Sequence, residues 1–333
     1  MSTALHAFLH GLVDYAGLFP PTKLEMQPAI RNYFSYRQSP AAWMLGKFVF
    51  PASRLQEMAD AASSDLDSKA PLGVSALVRP AESAAEFLQG LESDLEEIQK
   101  IHRAYSREIR VESLETRLPA SLSAERDLAE SFELFLRSAR ERMADAGLRE
   151  LPAFHEIVPG AAAERVMEAA ACAIGDVREA DESPEGLKLR CGGVMADAFP
   201  NPALVATAIH SARDHRVPLK FTAGLHHPLR HADKALKTKV HGFLNVFGAA
   251  LLAGAHGLDR KAIVDILEDE EAGNFTFTLD AFAWKRLSVK SREIESLRES
   301  VCTSFGSCSF DEPGEDLRRL GLLDDAAAGK RAP

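Results

Sequence analysis

Eight short β-like runs, each followed by a helical segment, predict an α/β protein built as a (β/α)8 TIM barrel with a helical insertion between strands 7 and 8. Three observations carry the prediction. Apolar runs of strand length alternate with segments of helical period. Two late runs each hold a lysine at their centre and end in glycine. The 333 residues suffice for such a barrel once an extra segment after the seventh run is counted. An open doubly wound sheet competes with this reading, but no turn carries a GxGxxG pattern.

The runs are residues 12–19, 45–50, 72–78, 109–114, 153–158, 187–193, 219–228 and 303–310. Pro20-Pro21, Pro51, Pro80 and Pro159-Gly160 close four of them. Residues 82–105 read as a long amphipathic helix, with Phe87, Leu88, Leu91, Leu95 and Ile98 on one stripe. Ser123 reads as the N-cap of a helix reaching Ala146, stopped by Gly147. An alanine-rich helix is expected over 161–174, then an unpatterned acidic loop over 176–186. Asn201-Pro202 starts the helix before the seventh run. After Pro228 the rhythm breaks into helical pieces, one over 241–255 and one begun by Asp259, with a stray strand at 275–278. The expected organisation is one barrel domain over 1–323, an insertion at 231–301 and a disordered tail at 324–333.

Composition removes several function classes. Hydrophobic residues are 46 %, enough for a sizeable core. A formal charge of −10 argues against nucleic acid as a partner, because phosphate binding needs clustered Lys and Arg. The N-terminus lacks a basic segment followed by an apolar core, so no signal peptide is expected. The most apolar stretch, 243–255, is too short and too interrupted to span a bilayer. The four cysteines form no CxxC pair and read as reduced thiols of a cytoplasmic protein.

Strand alternation points to the chemistry. Lys188 and Arg190 share one face of the sixth run, and Lys220 and Thr222 one face of the seventh, while Leu and Phe occupy the opposite faces. Helices cover apolar faces, so the lysines are expected inside the barrel, where an unpaired ammonium is costly. Two such lysines on neighbouring strands should depress one another's pKa, and a neutral lysine attacks carbonyls. An internal salt-bridge network without chemistry is the alternative. Candidate acids are Glu112 and Glu115 after the fourth run, Glu156 in the fifth and Asp14 in the first. Gly192-Gly193, Gly224 and Gly306-Ser307 follow presumed strands, and their backbone N–H groups suit an anion as well as a plain turn. His226-His227, His231 and His241 cluster after the seventh run, but no HxH or HExxH spacing is present. His226 and His227 therefore read as acid/base or anion contacts, and no metal or other cofactor is expected.

The order of these motifs resembles the class I aldolases of the deoxyribose-phosphate aldolase type. Leu187-Lys188-Leu189-Arg190-Cys191-Gly192 is similar to their sixth strand, and Leu219-Lys220-Phe221-Thr222-Ala223-Gly224-Leu225 to their seventh. Phe305-Gly306-Ser307-Cys308-Ser309 is similar to their phosphate turn, and Val13-Asp14-Tyr15-Ala16-Gly17-Leu18-Phe19-Pro20 to their first-strand motif. The resemblance implies a Schiff base on Lys188, tuned by Lys220, with Glu112 where the family has an Asp. It also implies proton transfer by Asp14 or Glu156, and an anion held by Gly193, Gly224 and Ser307 with Arg190 assisting. Arg190-Cys191 and His226-His227 depart from the family, and the segment 231–301 has no counterpart there; it reads as a lid or an interface, which leaves a homo-oligomer open. The expectation is a Schiff-base lyase acting on a small anionic carbonyl substrate, an oxo-acid or phosphorylated aldehyde. A metal-dependent hydrolase or lyase using Glu156, His226, His227 and His241, and a non-catalytic anion binder, are the alternatives.

Overall fold

A computed structural model describes residues 3–157 and 162–324. In chain order the elements are α1 (Thr3–Leu9), β1 (Val13–Tyr15), α2 (Met26–Arg37), β2 (Leu45–Pro51), α3 (Leu55–Ala62), β3 (Leu72–Leu77), α4 (Ala84–Ala104), β4 (Ile109–Arg117), α5 (Leu128–Asp145), β5 (Ala153–Glu156), α6 (Ala163–Asp181), β6 (Glu185–Arg190), α7 (Pro202–Asp214) and β7 (Leu219–Thr222). Then come β8 (His231–Asp233), β9 (Thr238–Val240), α8 (Phe243–His256), α9 (Arg260–Leu267), β10 (Phe275–Phe277), β11 (Ala281–Trp284), β12 (Leu287–Lys290), α10 (Ser291–Ser300), β13 (Cys302–Ser307) and α11 (Asp311–Arg319). Eight strands close a barrel in the order β1-β13-β7-β6-β5-β4-β3-β2, the (β/α)8 architecture that the alternating runs predict. The end of the fifth run at Val158, its Pro159-Gly160 stop and the tail beyond Asp324 lie outside the described residues.

The chain packs as two compact units. The first takes residues up to Gly46, Cys191–His210 and everything from Phe221 onward. Its core is aromatic: Phe243 stacks on Phe305 at 5.6 Å between ring centroids, and Phe8 meets Phe282 at 5.0 Å. Residues 243–253 of α8 are all buried, which makes this part of the insertion core rather than a lid. The insertion is also less helical than expected. It holds a β8–β9 hairpin and a three-stranded antiparallel sheet, β10-β11-β12, of which only the first strand was signalled by sequence. Trp284 pairs with Leu287, so Lys285-Arg286 forms the turn between β11 and β12, with Lys285 at φ 50°. No Asn or Gly marks that turn, which hid it from a reading of turn residues.

The second unit takes Lys47–Arg190 and Ser211–Lys220, and holds β3 to β6 entire. Two of its helices, α4 and α5, start on side-chain caps. Ser83 and Glu86 form a reciprocal capping box at α4. Asp127, not Ser123, caps α5, accepting from the Glu130 N–H at 3.2 Å; Ser123 lies in a short 3-10 turn before it. α6 continues to Asp181 rather than stopping before Gly175. That glycine is a packing residue: a Cβ there would stand 2.8 Å from the His215 carbonyl oxygen. No described helix is long and apolar enough to cross a membrane.

Candidate active site

Four parallel strands of the second unit bring the charged residues together. Leu77 pairs with Glu115, Arg117 with Glu156, and Glu156 with Lys188. Because side chains alternate, Lys188 and Arg190 share the inner face of β6, and Leu187 and Leu189 are buried on its outer face. Lys220 follows on the next strand and is buried.

Glu115 is the centre of the arrangement. Its Oε2 lies 2.9 Å from Lys188 Nζ, and its Oε1 lies 3.1 Å from Lys220 Nζ. Ser75 Oγ on β3 donates to the same Oε1 at 2.7 Å. The Ser113 hydroxyl stands 2.8 Å from Ser75 Oγ; Ser75 has one hydrogen and gives it to Glu115, so Ser113 is the donor there. Glu156 divides its oxygens between two cations: Oε2 is 2.9 Å from Lys188 Nζ, and Oε1 accepts from Arg190 Nε at 2.9 Å. Lys220 Nζ also lies over the Phe154 ring, 5.9 Å from its centroid.

The electrostatics follow from this geometry. Burial alone would push Glu115 up, but the ammoniums of Lys188 and Lys220 and the hydrogen bonds from Lys188 and Ser75 hold it well below the usual carboxylate range. Glu156 is lowered too: burial opposes, and Lys188 and Arg190 outweigh it. For Lys188 burial pulls down, yet Glu115 and Glu156 raise the amine above the ordinary lysine range. The expected mutual depression of the two lysines is therefore reversed at Lys188, because a carboxylate stands between them.

The structure brings together Lys188, Lys220, Glu156, Arg190 and the candidate acid Glu115, and adds Ser75, Ser113 and Phe154. Glu112 is not among them. Val74 pairs with Val111 but Ser75 pairs with Ser113, so Glu112 is skipped by the ladder and exposed, its carboxylate beside Gly73. That register shift moves the inner face of β4 from even to odd residues, and so sets Glu115 rather than Glu112 beside the lysines. Ser75 carried a weaker signal, a lone hydroxyl in the apolar run of β3.

The remaining candidates belong to the first unit. Asp14 is buried and accepts from Ser304 Oγ at 2.7 Å. Gly192 and Gly224 cross at close range: a Cβ on Gly224 would stand 2.6 Å from the Gly192 Cα, and Gly224 has φ +73°. Gly193 lies against Ala198, and Gly306 faces Thr222 Oγ1. Ser307 Oγ donates to the Ser309 carbonyl at 2.6 Å. His226 pairs with Glu312 at 2.9 Å and His227 with Asp316 at 2.5 Å. His241 donates from Nε2 to the Pro200 carbonyl at 2.7 Å, and burial pushes its imidazole down to about 4. Among the described residues, no group of three or more His, Cys, Asp or Glu is placed to hold a metal ion.

No protein-family model matches the chain, and no curated protein or solved structure matches it either.

Proposed function

We propose that the chain is a Schiff-base lyase of the class I aldolase kind, working in the cytoplasm on a small oxo-acid or phosphorylated aldehyde. One observation carries the reading: a single buried carboxylate, Glu115, bridges lysines on adjacent strands, at 2.9 Å and 3.1 Å. Lys188 is the imine-forming amine. It passes a proton to Glu156 or Glu115, each 2.9 Å away, and its lone pair attacks the carbonyl carbon. Of the three ammonium hydrogens, two leave with the carbonyl oxygen as water and one stays on the imine nitrogen. The positive charge is thus conserved at that nitrogen, and the carboxylates that stabilise the ammonium stabilise the protonated imine equally. That cation withdraws electrons from the neighbouring carbon–carbon bond, which breaks as Glu156 or Glu115 takes the proton of the β-hydroxyl and an aldehyde leaves; the same carboxyl gives that proton to the enamine carbon, and water hydrolyses the imine to restore the Lys188 ammonium. Lys220 adds a second positive charge beside Glu115 and limits how basic that carboxylate becomes.

Borohydride reduction in the presence of candidate carbonyl compounds, followed by peptide mass mapping, tests the reading. The expected product is a substrate-bearing secondary amine at Lys188. If every carbonyl compound that the protein turns over leaves Lys188 and Lys220 unmodified, the imine mechanism is wrong.

A further inference from the structure

Lys188 and Arg190 are two positions apart on β6, roughly 7 Å along the strand. Their polar ends converge further, because both bind one carboxylate: Lys188 Nζ meets Glu156 Oε2 and Arg190 Nε meets Oε1, each at 2.9 Å. The two ends differ in access. The Lys188 side chain is 4 % exposed and that of Arg190 is 43 % exposed. A guanidinium carries five N–H donors, and the Nε bond to Glu156 leaves the fork at its exposed edge for a ligand.

From this we infer that the substrate is a short 2-oxo acid, its carboxylate on the Arg190 fork and its keto carbon at Lys188. The inference rests on the Schiff-base reading and selects between its two substrate classes. Two physical arguments favour the 2-oxo acid. The first is reach. In a 2-oxo acid the carboxylate carbon is bonded directly to the reacting carbon, which suits an anion site and an amine held by one shared carboxylate. In a phosphorylated hydroxyaldehyde at least one carbon and an ester oxygen intervene, two carbons in glyceraldehyde 3-phosphate, which sets the anion farther from the reacting carbon. The second is charge. Glu156 and Glu115 both flank the position of the reacting carbon, so a phosphate dianion meets more repulsion there than a carboxylate monoanion. The balanced step is addition of the Lys188 amine to the keto carbon and loss of the keto oxygen as water, with no redox partner.

The test compares trapping by borohydride for three probes on the intact chain: pyruvate, its neutral methyl ester, and glyceraldehyde 3-phosphate. Pyruvate should label Lys188 half-maximally at a concentration about ten-fold or more below either other probe, the advantage of one charge-assisted fork. R190A should remove the preference over the methyl ester, and R190K should retain part of it. Calorimetric titration with pyruvate, without borohydride, should show the same loss in R190A. A preference for the phosphorylated aldehyde, or pyruvate labelling that R190A leaves unchanged, overturns the inference while leaving the Schiff base in place. Absence of any Lys188 or Lys220 adduct with all three probes, together with no calorimetric binding of pyruvate, overturns both.

Discussion

Strands β4, β5 and β6 carry a buried charged network on each face, and the two networks end differently. On the inner face Glu115, Glu156, Lys188 and Lys220 run out to Arg190, whose side chain is 43 % exposed. On the outer face Glu185 pairs with Arg140 at 2.9 Å and with His155 at 2.5 Å, and His155 Nδ1 is 2.9 Å from Thr116 Oγ1. Arg140 is closed off by the carbonyls of Leu151 and Arg149, and its side chain is 7 % exposed. Burial, ion pairing and strand position are therefore shared; access is not. The comparison teaches that a buried ion-pair network by itself argues for nothing beyond specificity of packing. What singles out the inner network is a pair of buried lysines at its centre and a part-exposed arginine at its rim.

The sharpest way to break the comparison is to remove the central carboxylate of each network. E115Q leaves two buried ammoniums short of a counter-ion, and E185Q leaves Arg140 in the same position. Each should lose about 3–5 kcal/mol of stability in denaturant titrations. Only E115Q should also abolish borohydride trapping in the fraction that remains folded. If E185Q abolishes trapping as completely, the two faces are not functionally distinct.

Much of this arrangement is visible in sequence, for physical reasons. Lys188 and Lys220 stand at the centre of apolar runs, and alternation alone assigns them the face opposite Leu187 and Leu219. The pairing of Glu156 with both Lys188 and Arg190 follows from ladder register, which sequence does not give. Of the two fourth-strand acids, Glu112 was favoured by the resemblance alone; the skipped residue that inverts the later side chains of β4 and sets Glu115 beside the lysines leaves no mark in the sequence. Ser75 and Ser113 become meaningful only once their strands are aligned, since a hydroxyl in an apolar strand has no period of its own. The β11–β12 hairpin escaped because its turn uses Lys285-Arg286 in place of Asn-Gly.

Smaller effects sharpen the comparison further. S75A removes a hydrogen bond to an ionised, buried carboxylate and should lower stability by about 1.5–3 kcal/mol, S113A by about 1 kcal/mol, in the same titrations. R190A, at the exposed rim, should change stability by less than about 1 kcal/mol. E112Q should change it by no more than about 0.5 kcal/mol and leave trapping intact. An E112Q variant that traps no substrate would return the fourth-strand role to Glu112.

The pH dependence has a fixed sign. Glu115 and Glu156 titrate lower in the folded chain than the roughly 4.3 of a free glutamate, so their contribution is complete above that value and is lost as pH falls through their folded values. Lys188 titrates above the roughly 10.4 of a free lysine, so its contribution is complete below that pH and is lost as pH rises through the folded value. Urea titrations across pH should show acid destabilisation of the wild type that is shallower in E115Q. An equal acid slope in both would remove Glu115 as a paired carboxylate.

The most direct measurement is a site-resolved comparison of lysine labelling by pyruvate and borohydride, read at Lys188 and at Lys261, which is 83 % exposed on α9. Accessibility alone favours Lys261. The account predicts that Lys188 reaches one adduct per chain while Lys261 stays essentially unmodified. Labelling that starts at Lys261 and leaves Lys188 intact would contradict it.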